Sequence, residues 1–341
     1  PPRMGKNKAG LNYITSTNTI LGQYYDSDTT ISFSLPISFK DDEGIGYDLS
    51  YTWVSMKENM AAFIDPLIEK KLLSDLLVPA KIVNRLSSKD LLISPDGILQ
   101  EIPFQYLLNE IELSSITIIP AFSYLDNEYF DLKNLLAISV SNPNIVEDQN
   151  SEISLFRDNM LDSLGFATLE ADNIFSLGIK YLEGTSKHQK NATESWVKEN
   201  SSSYNIIHFS AHSIANDFIT GESGIYLNKD HDNDGFLSGS EIKEIEFDGQ
   251  FIFLSSCESA SGYYKAGEGT MSIAKAFLDA GASGIVASLW KVNDESVTKL
   301  SKLFYKNFLT GIPPEQALYM AQKKFTSIHP YTKYPFIYIS F

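Results

Sequence analysis

The chain has one cysteine, Cys257. An internal disulfide and a zinc site built from several thiolates are therefore excluded, and what remains is the chemistry of a single thiol. Long apolar runs are missing too. No stretch approaches the roughly 18 uninterrupted apolar residues of a membrane helix. The opening PPRMGKNKAG lacks the apolar segment of a signal peptide, so the expectation is a cytoplasmic protein without a membrane partner. Basic charge is in deficit: 27 Lys and Arg stand against 43 Asp and Glu, a formal charge of -16. Such a surface repels a phosphate backbone, which disfavours direct nucleic-acid binding and favours protein or basic-peptide partners. No Gly-x-Ser-x-Gly elbow of a serine hydrolase is present. Residues 262–267 have the glycine spacing of a phosphate-binding loop, but Glu268 stands where that loop needs its lysine, so a nucleotide site is unsupported.

What is present reads as a folded protein. The 341 residues are 43% apolar and 21% charged, enough for two domains or one large α/β domain at roughly 150 residues per domain. Over residues 31–39 apolar and polar positions alternate, which predicts a half-buried strand, placed at an edge or bulged because Pro36 has no N–H to give. A turn at 41–44 leads into a second strand over 47–55, and helical periodicity follows over 57–77, broken at Pro66. From residue 90 onward short apolar runs at 91–94, 135–140, 205–209, 251–254 and 284–289 predict buried strands of a parallel sheet. Helices are predicted between them: 270–280 closed by Gly281, 295–310 capped by Asp294 and closed by Gly311, and one starting at Pro313-Pro314. The alternation gives an α/β sandwich. The organisation is expected to be an N-terminal hairpin and helical region over 1–85 and a second domain over 86–341, with a surface loop at 142–154.

In parallel sheets functional groups gather beyond the carboxyl ends of the strands. Two such loops carry reactive side chains, Ser210-Ala211-His212-Ser213 and Ser255-Ser256-Cys257-Glu258-Ser259. If their strands are neighbours, His212 and Cys257 face each other, and a histidine within reach of a thiol takes its proton to give the attacking thiolate. From residue types and spacing alone, a buried structural cysteine is the first reading and the dyad the second. His208, four residues before His212, belongs to a strand and lacks a helical partner glutamate, so it reads as a structural histidine rather than half of a zinc pair. Residues 230–241 match a calcium loop: Asp230, Asp232, Asp234, the Phe236 carbonyl, Ser238 and a bidentate Glu241, with Gly235 at the bend. The same segment reads equally as a strand followed by a capping box, Ser238 with Glu241.

Several motifs in order are similar to the CHAT family of caspase-like, separase-related cysteine proteases. They are LISPDGILQEIPF (92–104), HFSAH (208–212), LSSCES (254–259), GEGT (267–270), AFLDAGA (276–282), LWKVNDE (289–295), AL at 317 with AQ at 321, and HPY (329–331). The resemblance covers about three quarters of the chain. It implies a caspase-type α/β/α sandwich, His212 as general acid/base, Cys257 as nucleophile, and association with a helical-repeat or sensor region in the same protein or complex. It further implies an oxyanion hole from the backbone N–H groups of Ser213 and Cys257. Ser213 stands where the family has glycine, and its Cβ narrows the backbone angles available. Lys333 replaces a usual tryptophan.

The expectation is therefore a cysteine endopeptidase cleaving a protein substrate, in a bacterial regulatory or defence setting. No cofactor is required for the chemistry, and calcium is an open addition. Pro1 is no translation start, so the chain is expected to be an excised catalytic portion. The alternatives are a catalytically inactive caspase-like module and a calcium-responsive protein-interaction module. Asp294, Glu258 and Glu268 are expected to rim the Cys257 crevice and favour a basic substrate residue. Asp294 is read first as a helix cap and only second as a pocket acid.

Overall fold

The computed structural model describes residues 4–40, 44–62, 64–120, 130, 132–144, 164–215, 223–256, 259–265, 269–291, 293–327 and 329–340. Cys257, Glu258 and Glu268 lie outside the described residues, as does most of the 142–154 segment.

The expected strands form: Asp90–Ser94, Asn134–Val140, Ile206–Ala211, Phe251–Ser255 and Gly284–Ser288. The last four lie in the half of the sheet that ends at Glu183–His188, in the order Gly284–Ser288, Phe251–Ser255, Ile206–Ala211, Asn134–Val140 and Glu183–His188, all parallel. The other half runs from Thr30–Pro36 through Thr19–Tyr25, Lys8–Thr15, Asp90–Ser94 and Ser115–Ile118 to Phe336–Ser340. Phe336–Ser340 pairs antiparallel with Gly284–Ser288, so the sheet reverses polarity there and is parallel only within blocks. Local periodicity cannot carry that reversal, because it depends on which edge a returning strand joins.

Alternating side chains divide the sheet into two faces. Ile206, Phe251, Phe253, Val286 and Phe336 pack with helices Asp294–Phe308 and Pro314–Lys324. Ile207, Phe209, Ile252, Leu254 and Ile285 pack on the opposite side in the core that contains Trp53, Leu73 and Phe277. Helices on both faces of one sheet make the α/β/α sandwich.

Several local expectations change. The strand over 31–39 is interrupted after Pro36, ending Thr30–Pro36 at the sheet edge, and Ser38–Lys40 pairs instead with Gly46–Asp48. The second strand stops at Asp48 because that carboxylate caps a helix, Leu49–Ala61, accepting from the Ser50 and Tyr51 N–H groups. Pro66 separates this helix from Leu67–Leu77, as expected. Residues 270–272, read as helical, belong to a strand, Gly269–Ser272, paired with Gly262–Lys265, and Ser272 caps the shorter helix Ile273–Asp279. Gly281 then turns the chain at φ +105°, where a Cβ would lie 2.2 Å from the Phe247 carbonyl oxygen. Strands Lys8–Thr15 and Thr19–Tyr25 were not anticipated; they join the central sheet through parallel pairing of Lys8–Thr15 with Asp90–Ser94.

Candidate active site

Strands Ile206–Ala211 and Phe251–Ser255 are direct parallel neighbours with Ser210 opposite Ser255. Their carboxyl ends are therefore level, and the two loops singled out in the sequence leave the sheet side by side. His212 follows the first strand immediately and is half-buried. Its carbonyl accepts from the Tyr226 N–H at 2.9 Å, which ties the histidine to a small antiparallel sheet of Ser213–Ile214, Gly224–Tyr226 and Phe236–Ser238. Ser213 is part of that strand. Among the described residues only Ser88 and Gln189 are non-glycines with positive φ, so Ser213 stands in ordinary backbone and its Cβ brings no strain.

The second loop is pinned on both sides of position 257. The Ser256 carbonyl accepts from the Ser288 hydroxyl at 2.6 Å, the Ser288 N–H donates to the Ser259 hydroxyl at 3.0 Å, and the Ala260 N–H donates to the Ser288 carbonyl at 2.8 Å. A narrow cleft opens where the two loops meet. His212, Ser256, Asp294 and Glu170 line it together with Ser210 and Ser255.

Asp294 is not the helix cap. Asn293 fills that position, its side chain accepting from the Ser296 N–H, and Asp294 is the first residue of the helix with its carboxyl in the cleft. One residue of offset explains the exchange, since either side chain caps well and only the turn geometry selects between them. Burial, reinforced by the charge of Glu170, holds the Asp294 carboxyl above the usual carboxylate range; the Phe166 N–H and Lys291 oppose the shift.

Glu170 was not anticipated. It sits in the first turn of helix Ala167–Gly178 and is 3% exposed, among buried Ala167, Ala171 and Ile174. A carboxylate on the apolar stripe of a helix is the sequence signal that marks it. One oxygen accepts from the Ser210 hydroxyl at 2.9 Å and from the Ser255 hydroxyl at 2.7 Å. The other lies 3.5 Å from His208 Nε2. Burial alone would raise this carboxyl, but the neighbouring His208, Ser301 and Ser255 outweigh it and hold Glu170 below the usual carboxylate range. His208 is fully buried, with Tyr305 OH 3.3 Å from Nδ1.

The 230–241 segment keeps its side chains apart. Asp230 accepts from the Ser195 N–H and hydroxyl at 2.9 and 2.8 Å, Asp232 is exposed beside His231, and the Asp234 carboxylate accepts from the Phe236 N–H. Glu241 forms the capping box with Ser238 and pairs with Lys198 at 3.1 Å. Among the described residues no three His, Cys, Asp or Glu side chains converge as metal ligands do.

By sequence, the CHAT domain family matches residues 60–336. The chain belongs to that family. Sequence comparison with the curated proteins finds no match. Among solved structures the CHAT chain is similar to the Saccharomyces cerevisiae separase–securin complex, at 16% identity and a TM-score of 0.46, covering 74% of this chain and 16% of that one. It is also similar to the Arg specific cysteine proteinase gingipain R, at 11% identity and a TM-score of 0.49, covering 80% of this chain and 66% of that one. The Porphyromonas gingivalis complex of RgpB pro- and mature domains gives 10% identity and a TM-score of 0.49, covering 80% and 68%. No described helix of this CHAT chain is long and apolar enough to cross a membrane.

Proposed function

We propose that this CHAT chain is a cysteine endopeptidase with His212 and Cys257 as its dyad. The observation that carries the reading is the parallel register Ser210 to Ser255, which sets level the two strand ends that lead into these residues. His212 accepts the thiol proton, the thiolate sulfur attacks the scissile carbonyl carbon, and the imidazolium returns the proton to the leaving amine. Water, deprotonated by the same imidazole, then hydrolyses the thioester. The N–H groups of Ser213 and Cys257 are the proposed donors to the oxyanion, and the ordinary backbone of Ser213 supports its part.

Asp294, in the cleft beside His212, is the acid that would receive a basic substrate side chain; Glu258 and Glu268 are proposed as secondary contributors. The substrate is accordingly a protein or peptide with a basic residue before the cleaved bond. Control by a helical-repeat or sensor region, in a bacterial regulatory or defence system, belongs to the same proposal. Incubation with a proteome-derived peptide library tests it. Cys257→Ala and His212→Ala are each expected to abolish cleavage with the unfolding transition retained, because nucleophile and base act as one unit. Turnover near that of the unmodified chain in either variant overturns the dyad.

A further inference from the structure

The Ile206–Ala211 and Phe251–Ser255 strands are already joined by a backbone ladder and by apolar packing on both faces. A buried carboxylate beneath their ends is therefore not needed to hold the sheet, and burying it carries a desolvation cost that leucine would avoid. Glu170 faces His208 from the Ile206 strand and Ser301, Tyr305 and Asp294 from helix Asp294–Phe308, and the charge of Lys291 bears on Asp294. Its hydrogen bonds are specific. A single oxygen, Oε2, is shared by the hydroxyls of Ser210 and Ser255, and each serine lies two residues before a member of the proposed dyad. The second oxygen, Oε1, and His208 Nε2 complete no hydrogen bond at their 3.5 Å separation. The short hydrogen bonds of this carboxylate thus go to the two strand ends, while His208 and Ser301 also help to hold it ionised.

We propose that Glu170 is a positioning residue, one carboxylate oxygen of which fixes the separation of the strand ends carrying His212 and Cys257 so that proton transfer between them needs no rearrangement. The proposal rests on the endopeptidase reading. Two hydroxyls bonded to one acceptor atom cannot drift apart independently, whereas the backbone ladder stops at the last paired residues, Ser210 and Ser255. Misplacement of reacting groups by 1 Å costs on the order of 100-fold in rate, so a small loss of register is enough to be read.

Because Cys257 is the only cysteine, alkylation of the whole chain by iodoacetamide across pH reports that thiol alone. In the unmodified chain the midpoint is expected well below the roughly 8.5 of a free thiol, and His212→Ala returns it toward that value. The Ser210→Ala/Ser255→Ala double variant and Glu170→Ala are expected to do the same and to lower kcat for a cleaved peptide about 100-fold with KM little changed. Glu170→Gln keeps an oxygen for both hydroxyls and is expected to restore the alkylation profile. The double serine variant removes only two hydroxyls, so it reads the clamp even where Glu170→Ala does not fold. A depressed midpoint that responds to His212→Ala but not to the serine pair overturns the clamp and leaves the endopeptidase reading standing. Failure of Glu170→Gln to restore the profile overturns the clamp as well. An ordinary thiol midpoint indifferent to His212→Ala overturns the endopeptidase reading and the clamp with it.

Discussion

At the scale of single residues, charge and one-position offsets decide the site. Asn293 caps the helix, so Asp294 is released to the cleft. Asp294→Asn is expected to remove preference for Arg or Lys before the cleaved bond while the thermal midpoint stays put; Asn293→Ala is expected to cost about 1 kcal/mol. A cleavage-site profile and a denaturant titration measure the two effects, and an apolar or acidic preference in the unmodified chain would refute the pocket. Because the Asp294 carboxyl titrates above its ordinary range, affinity for a basic peptide should rise with pH as that group ionises, visible as a falling KM absent in Asp294→Asn. Glu194 offers a second titration. It is fully buried, accepts from the Gly235 N–H at 2.9 Å, and is pushed up to about 7 by burial and by the nearby charge of Glu241. The folded chain therefore holds this proton more tightly than the unfolded chain. Its contribution is fully present below the ordinary value of 4.5 and is lost as pH rises through about 7. Thermal midpoints measured from pH 4.5 to 8 should fall less steeply in Glu194→Gln than in the unmodified chain.

At the scale of elements, short-range pattern competes with capping and turn chemistry. The 230–241 segment has the oxygens of a calcium loop in the right order, yet here Asp230, Asp234 and Glu241 are each committed to a nearby donor. Asp230 receives two bonds from Ser195 and is held far below the usual carboxylate range: burial opposes this, but those bonds and the Asp232 N–H outweigh it. Gly235 makes the bend at φ +92°, serving the turn between Leu227 and Phe236. Gathering six oxygens on one ion would compete with the Ser195–Asp230 and Lys198–Glu241 contacts. Excess calcium is thus expected to leave the thermal midpoint unmoved, whereas a rise that vanishes in Asp230→Ala/Asp234→Ala would establish a calcium loop. The same competition converted residues 49–55 from an expected strand to a helix, where Asp48 supplied a cap that alternation alone does not weigh.

At the scale of the whole molecule, the amino-terminal strands are part of the sheet that carries the site. Leu11 and Tyr13 are buried, the Tyr13 hydroxyl donates to the Leu77 carbonyl at 2.8 Å, and the Thr15 N–H and hydroxyl both donate to Asp96. Far along the chain, Tyr331 donates to the Met60 carbonyl at 2.9 Å. Leu11→Ala should cost about 2–5 kcal/mol and lower the midpoint of the same single unfolding transition that Leu254→Ala lowers. Two separate transitions, each sensitive to one variant, would instead divide the chain near residue 85.

The sequence by itself determined five strands of the sheet, the helices Leu67–Leu77, Ile273–Asp279, Asp294–Phe308 and Pro314–Lys324, and the two strand ends that lead into His212 and Cys257, because periodicity, proline and glycine act over a few residues. Tertiary structure alone decided the sheet's reversal at Phe336–Ser340, the placement of Lys8–Thr15 beside Asp90–Ser94, and the meeting of Glu170 with Ser210 and Ser255. Those pairings join residues distant along the chain, and their free energy comes from burial and hydrogen bonds that exist only once the strands are side by side.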